Sequence, residues 1–185
     1  MNVYFDTEFT GLHKDTTLIS IGLVADNGRK FYAEFTDYDK SQCDDWIKTN
    51  VLDNLVLNTY QSRKLFEKEV KEFMVGRKCD VKPVLKSWFE SFGEDIQLVS
   101  DVCHYDMVLL IDIFGSAFDV PKYICPVCHD INMDIANKIC DGVHKCAFNI
   151  SREYILKDNG VFIEGDKHNS LYDAKVIKEI YKLLH

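Results

Sequence analysis

The sequence lacks any apolar run close to the roughly 20 residues that a helix needs to cross a bilayer. It also lacks a basic stretch followed by an apolar segment near its start, which is the usual form of a secretion signal. Repeats, low-complexity stretches and linkers are missing as well. These absences predict a soluble, cytoplasmic protein with no membrane partner, in which residues 1–185 form a single domain.

Positive charge is also scarce, because 22 Lys and Arg face 30 Asp and Glu, which gives a net charge of −8. A field of this sign repels long nucleic acids, so the net charge argues against the wrapping of an extended duplex. An enzyme that holds only a chain end, with metal ions neutralising its own carboxylates, remains compatible with the charge.

The cysteines lack regular spacing. There are seven of them, an odd number, and this favours reduced thiols over a disulfide framework. The stretch from Cys125 to His129 matches a haem-attachment pattern, but that attachment requires an export signal that the sequence does not show. A zinc site is the alternative, although the irregular spacing of its second half favours scattered free thiols; its ligands would come from Cys125, Cys128, His129, Cys140, His144 and Cys146.

The pattern of apolar residues predicts strands over residues 2–6, 17–25, 30–35 and 96–100. Helices are predicted after a cap at Ser41, over 60–74, around 84–92 with Pro83 in the first turn and Gly93 at the end, over 105–114, and over 169–184. This order of strands and helices is typical of a mixed sheet with helices on its faces.

Asp6 and Glu8 follow the apolar run Val3 to Phe5. Alternate residues of a strand point to the same face, so these two side chains project together while Thr7 points away. Neighbouring carboxylates are stable together when they share a divalent cation, and oxygen ligands suit Mg²⁺ or Mn²⁺. The Asp-x-Glu spacing alone is weak evidence, because acidic chains contain it by chance.

Two further groups carry candidate chemistry. Asp106 is expected at the first turn of a helix that leaves a strand end, either facing a crevice or simply favouring the positive end of the helix dipole. His168 and Asp173 lie one turn apart at the start of the last helix, where they can approach a common point or merely flank a capping Asn169. Asp101 is a weaker acidic candidate beside Asp106.

Together these three motifs resemble those of the DEDD superfamily of 3′-5′ exonucleases, in the DEDDh subclass that has histidine in its last motif. The chain is also similar to a small stand-alone bacterial exoribonuclease branch. This likeness covers the N-terminal half, with the stretches DTEF and WIKTNVL, and beyond it only the motifs YDMVLL and HNSLYDA. The resemblance implies a ribonuclease-H-like α/β fold with a mixed five-stranded sheet, an antiparallel meander plus parallel strands, and helices on both faces. Residues 1–185 would then form one exonuclease domain.

The resemblance also implies hydrolysis of a terminal phosphodiester of RNA by two Mg²⁺ or Mn²⁺ ions. Asp6 would bridge both ions, Glu8 and Asp173 would complete one site, and Asp106 would support the other. His168 would be the general base, which suits an imidazole that is neutral near pH 7.

The substrate implied by the resemblance is the 3′ end or 3′ overhang of single-stranded RNA, held against Phe9, Thr10 and Leu12. An aromatic side chain can stack on a base, although packing of Phe9 into the core is the alternative. An exodeoxyribonuclease that acts on single-stranded DNA and a zinc-containing nucleic-acid-binding module are the competing functions. A homodimer is compatible with the sequence.

Overall fold

A computed structural model describes residues 1–56 and 60–185, with the side chains at 60–63 and 65 outside the description. Its sheet has six strands in the order β4-β3-β2-β1-β5-β6. The strands β1 to β3 form the predicted antiparallel meander, and β4, β5 and β6 each run parallel to their neighbour. Their bounds are β1 Asn2–Phe9, β2 Leu18–Ala25, β3 Lys30–Phe35, β4 Glu72–Gly76, β5 Gln97–Ser100 and β6 His129–Asp130.

Eight α-helices are found in the described part of the chain. They are α1 Asp45–Asn50, α2 Tyr60–Glu69, α3 Lys78–Glu90, α4 His104–Phe114, α5 Ile131–Lys138, α6 His144–Asn149, α7 Arg152–Asp158 and α8 Ser170–Leu184. Within residues 1–56 and 60–185, none of the helices combines the length and the apolar composition that a membrane span requires.

The two faces of the sheet are both covered by helices, as the sequence predicted. Val3 and Phe5 of β1 pack in the cluster that contains the buried side chains of α3 and α4. Tyr4 points the other way, into the cluster formed with α5 to α8. Successive side chains of β1 point to opposite faces of the sheet, so the position of each residue in the strand decides which group of helices its side chain contacts.

The predicted helix over 60–74 is wrong in its second half, because α2 ends at Glu69 and the chain enters β4 at Glu72. Phe73 pairs with Tyr32 in this strand, and Met74 pairs with Ala33. Apolar residues keep a helical spacing across the break between α2 and β4. The periodicity therefore did not indicate that residues 72–76 would pair with the open edge of β3. Strand β4 and the two-residue strand β6 are absent from the four strands predicted from the apolar pattern, so the sheet has six strands instead of the five that the resemblance implied.

Three predicted helix boundaries were also wrong. Asp44, and not Ser41, caps α1, since its Oδ1 accepts the Ile47 N–H at 2.8 Å. Helix α3 begins well before Pro83, at Lys78, where the Asp80 carboxylate accepts the Arg77 N–H at 3.1 Å. It ends at Glu90, before Gly93. The bounds of β2, β3, α4 and α8 agree with the prediction to within one residue.

Candidate active site

The end of β1 places Asp6 and Glu8 toward α8, on the same face as Tyr4. Asp6 pairs with Gly22 of the neighbouring strand β2. A Cβ on Gly22 would lie only 2.3 Å from the backbone nitrogen of Leu171, so the missing side chain allows the start of α8 to lie directly against the sheet. This close approach carries Asp173, one turn into α8, to the two carboxyl groups of β1.

The start of α8 is held in place by buried polar contacts. The Ser20 and Ser170 hydroxyls share a hydrogen bond of 2.9 Å in a fully buried position. The Asn169 side chain accepts the N–H groups of Leu171 and Tyr172, which makes it the helix cap. The sequence left open whether this segment only caps the helix or also brings His168 and Asp173 together. The structure shows Asn169 as the cap and, in the same segment, the carboxyl cluster.

Asp106 lies in the first turn of α4 and is only 5% exposed. Its Oδ1 accepts the Thr7 N–H at 3.1 Å and the Thr7 hydroxyl at 2.5 Å, and its Oδ2 accepts the Ser100 hydroxyl at 2.7 Å. Burial raises the pKa of Asp106 to about 6, and the hydrogen bonds from Thr7 and Ser100 limit that rise. The Thr7 side chain points away from Asp6 and Glu8, and its hydroxyl and backbone N–H hold the Asp106 carboxylate in place.

His168 completes the group on the α8 side. Ligand atoms of Glu8, His168 and Asp173 all lie within 4.8 Å of one another. The backbone N–H of His168 donates to the Asp173 carboxylate at 2.9 Å, and the imidazole meets the Trp46 ring edge-on with centroids 5.0 Å apart. The backbone of His168 has a φ of 64°, a conformation that a non-glycine residue adopts at an energetic cost and that is often found at functional sites.

The carboxyl groups of this cluster repel one another. Burial, followed by the charges of Asp106, Asp173 and Glu8, raises the pKa of Asp6 well above its usual range. Burial, followed by the charges of Asp173 and Asp106, raises the pKa of Glu8 to about 9. Burial raises the pKa of Asp173 to about 7. Such a cluster either holds protons or takes a compensating cation, and its oxygen-rich donor set fits a divalent ion.

The cluster opens into a cleft of about 540 Å³. Of the predicted substrate-binding residues, Phe9 and Leu12 line this cleft, and Leu12 is 80% exposed. Phe9 also stacks on Tyr105 with centroids 5.2 Å apart. Thr10 is 2% exposed and its hydroxyl bonds Gln42, so the structure does not bring it into the cleft. Its hydroxyl is used in the β1–β2 turn, where it also accepts the Thr17 N–H at 2.9 Å.

One wall of the cleft was not predicted from the sequence. Arg152 forms a two-pronged ion pair with Asp101, with N···O distances of 2.6 and 2.7 Å, and one of its nitrogens also donates to the carbonyls of Ala147 and Ile150. Asn132 also donates to Asp101, at 3.1 Å. Asp101 is therefore engaged in holding α5, α6 and α7 together. Nothing in the sequence pattern marked Arg152 as its partner.

The cysteines do not form the zinc site that their sequence pattern left open. Cys140 and Cys146 are joined by a disulfide, so the prediction of reduced thiols is wrong for this pair. Gly142, with a φ of 81°, turns the connection between α5 and α6 back on itself, and the two Cα atoms come within 5.9 Å. Over residues 1–56 and 60–185, no group of cysteines and histidines from the predicted zinc set lies within reach of one ion.

Comparison with known proteins shows the family to which this chain belongs. Residues 1–184 match the family described as the 3′-5′ exoribonuclease Rv2179c-like domain. The chain belongs to this family. Two Mycobacterium tuberculosis proteins named 3′-5′ exoribonuclease are 35% identical to it over 128 residues, 67% of this chain and 67% of each relative.

Solved structures show the fold of this Rv2179c-like chain. The nuclease domain of 3′hExo, a DEDDh family member bound to rAMP, matches with a TM-score of 0.66 and 13% identity over 97% of this chain and 88% of that one. S. pombe Pop2p, in a form with Mg²⁺ and Mn²⁺ bound, matches with a TM-score of 0.54 and 15% identity, covering 97% and 81% of the two chains. These matches confirm the predicted ribonuclease-H-like fold. The match to an exoribonuclease family confirms the predicted likeness to 3′-5′ exoribonucleases.

Proposed function

We propose that this chain is a divalent-metal-dependent 3′-5′ exoribonuclease that removes nucleotides from the 3′ end of RNA, and that residues 1–185 act as one exonuclease domain. The observation that carries the proposal is the convergence of Glu8, His168 and Asp173 within 4.8 Å, beside Asp6. The relatives named 3′-5′ exoribonuclease support the reaction and its direction. A cytoplasmic location and a homodimer stay predictions.

The metal ligands in this proposal are Asp6, Glu8, Asp106 and Asp173, which would hold two Mg²⁺ or Mn²⁺ ions. Asp6 would contribute to both sites, Glu8 and Asp173 would contribute to one of them, and Asp106 would contribute to the other. When bound, divalent ions supply Lewis acidity that activates water and stabilises negative charge at the phosphate. The hydrogen bonds from Thr7 and Ser100 hold Asp106 in one orientation, so its position is set before an ion arrives.

His168 acts as the general base in this proposal and takes a proton from the attacking water. Burial and the charge of Lys167 lower the pKa of His168, so the imidazole is neutral and able to accept a proton at pH 7. The bond from its backbone N–H to Asp173 and the edge contact with Trp46 keep the ring beside the carboxyl cluster.

The substrate proposed for the cleft is a terminal nucleotide, contacted by Phe9 and Leu12. Leu12 can pack against a base because most of its side chain is exposed at the mouth of the cleft. A 3′-5′ exodeoxyribonuclease is the second candidate function, since no side chain has been assigned to the 2′-hydroxyl that separates RNA from DNA.

The test is digestion of matched single-stranded RNA and DNA, labelled at the 5′ end, with Mg²⁺ or Mn²⁺. We expect a ladder of RNA products that shortens from the 3′ end. Asp6→Asn should abolish the ladder, whereas Asp53→Asn, at an exposed position outside the cleft, should leave it unchanged. Internal cuts would contradict an exonuclease, and full activity of Asp6→Asn would contradict the assigned site.

A further inference from the structure

A second group of metal-binding side chains lies at the other end of α8. It consists of His129 in β6, Asp134 in the first turn of α5, and His185, which follows α8. Ligand atoms of the three residues all lie within 4.8 Å of one another. Asp173 is in the first turn of α8, so roughly 18 Å of helix separates this group from the carboxyl cluster. It is therefore independent of the proposed catalytic ions.

The hydrogen bond of His185 indicates which of its nitrogens is free. Its Nδ1 lies 3.0 Å from the carbonyl oxygen of Tyr181, and its ring stacks on the Tyr181 ring with centroids 4.1 Å apart. A carbonyl only accepts, so Nδ1 carries the hydrogen and Nε2 of the neutral ring has a free lone pair. Metal-binding histidines are commonly oriented by such a bond to a backbone carbonyl. Here the free Nε2 is 3.7 Å from Oδ1 of Asp134.

The two oxygens of Asp134 face different imidazoles. Oδ2 lies 2.5 Å from Nε2 of His129, and Oδ1 faces His185. The Asp134 side chain is only 15% exposed, and the His129 ring is packed edge-on against Tyr181. Ligands of a tetrahedral zinc ion lie roughly 3.4 Å apart, so an ion would lengthen the contact to His129 by roughly 0.9 Å and shorten the contact to His185 slightly.

The donor set separates this group chemically from the cleft. Two imidazole nitrogens and one carboxylate oxygen suit Zn²⁺ and similar transition metals, whereas Mg²⁺ prefers oxygen ligands alone. We propose that His129, Asp134 and His185 bind one Zn²⁺-class ion, with solvent in the fourth position. The ion would link β6, α5 and the residue that follows α8, and it would stabilise their packing. The Lys138 ammonium already bonds the Leu184 carbonyl across the same two helices.

The experiment uses untagged protein stripped of metal by a chelator and titrated with Zn²⁺ in excess Mg²⁺. The Asp173→Asn variant is the background, because it removes a ligand of the cleft. We expect one Zn²⁺ per chain in this background, together with a higher thermal unfolding midpoint. Adding Asp134→Ala or His185→Ala should weaken Zn²⁺ binding at least ~100-fold, since even the loss of a residue that only orients a ligand costs 10- to 100-fold.

Two variants distinguish a metal site from a hydrogen-bonded packing contact between the same side chains. His144→Ala changes an exposed histidine on α6 and should leave Zn²⁺ binding unchanged. Asp134→Asn keeps a hydrogen-bond partner for His129, so it should preserve the packing of α5 while losing the ion. Absence of Zn²⁺ binding in the Asp173→Asn background, or binding that survives both Asp134→Asn and His185→Ala, would overturn the proposal in favour of the packing contact.

Discussion

Asp173 shows how a single carboxyl group can reduce stability until an ion arrives. Burial raises its pKa to about 7, whereas an unfolded aspartate titrates near 4. A carboxyl group with a raised pKa contributes its full stability below the unfolded value and loses that contribution as the pH rises through the folded value. The metal-free protein should therefore become less stable between about pH 4 and pH 8.

The first prediction concerns Asp173→Asn in metal-free protein at pH 8. The amide carries no charge, so we expect the variant to be more stable than the unmodified chain by up to about 4 kcal/mol, with the difference vanishing near pH 4. Mg²⁺ should stabilise the unmodified chain but not the variant. Urea unfolding measures both effects, with Asp53→Asn as the exposed control. A loss of stability at pH 8 would contradict a repulsive cluster.

The second prediction separates two roles for His168. As a general base it affects the rate, so His168→Ala should lower kcat by about 10²- to 10⁴-fold while Mn²⁺ affinity changes little. The fall in rate of the unmodified enzyme at acid pH, where the imidazole gains a proton, should disappear in the variant. His13→Ala, at an exposed position in the β1–β2 connection, is the control. A large loss of Mn²⁺ affinity would instead make His168 a ligand.

At this scale the sequence predicted which side chains converge, but it did not predict the residues that hold them in place. The alternation of a strand was enough to put Asp6 and Glu8 on one face, and the helical turn was enough to pair His168 with Asp173. Trp46 and Arg152 act through contacts between elements distant in the chain, and no local pattern reports such contacts. The same is true of Thr10, whose hydroxyl serves the β1–β2 turn.

At the scale of elements, the contact between α8 and β2 brings Asp173 to the carboxyl groups of Asp6 and Glu8. Gly22 is opposite Asp6 in the sheet, and the backbone of Ser170 and Leu171 occupies the space that a side chain would need. The close approach of helix and sheet thus sets the distance between Asp173 and the carboxyl groups of β1.

The third prediction is that Gly22→Ala moves α8 away from the sheet. Overpacking of this kind costs about 1–3 kcal/mol of stability, and a displacement near 1 Å at a catalytic group can cost about 10²-fold in rate. Gly76→Ala is the matched control, because its Cβ would meet the Asp80 side chain at 3.2 Å instead of a backbone. Unfolding and RNA digestion measure the two effects. Normal activity of a folded Gly22→Ala protein would show that this contact does not position Asp173.

The prediction of elements succeeded where one pattern covered a whole element. The apolar stripe of α8 and the meander of β1 to β3 are of this kind. It failed over residues 60–74, because apolar spacing cannot distinguish a continuing helix from a strand recruited by the open edge of β3. The disulfide between Cys140 and Cys146 depends on the turn at Gly142, which irregular cysteine spacing did not indicate.

At the scale of the whole molecule, the net charge of −8 limits how RNA is held. The proposed substrate contact is a cleft of about 540 Å³ whose acidic centre requires cations, so few phosphates should be neutralised by the protein itself. Arg152 lines this cleft but is already paired with Asp101.

The fourth prediction is a weak salt dependence of RNA binding. Each phosphate neutralised on a single strand contributes about −0.7 to the slope of log affinity against log salt, so contact with two or three phosphates gives a slope between about −1.4 and −2.1. The slow His168→Ala variant allows binding to be measured with metal present. A slope steeper than about −4 would indicate an extended RNA path along the surface instead of a grip on the chain end.

The central claim is that carboxyl groups from β1, α4 and α8 share divalent ions beside His168. Anomalous diffraction from crystals soaked in Mn²⁺ tests it most directly. We predict two Mn²⁺ peaks in the cleft, one coordinated by Glu8 and Asp173 and both in contact with Asp6. A cleft without Mn²⁺ under conditions that support RNA digestion would contradict the claim.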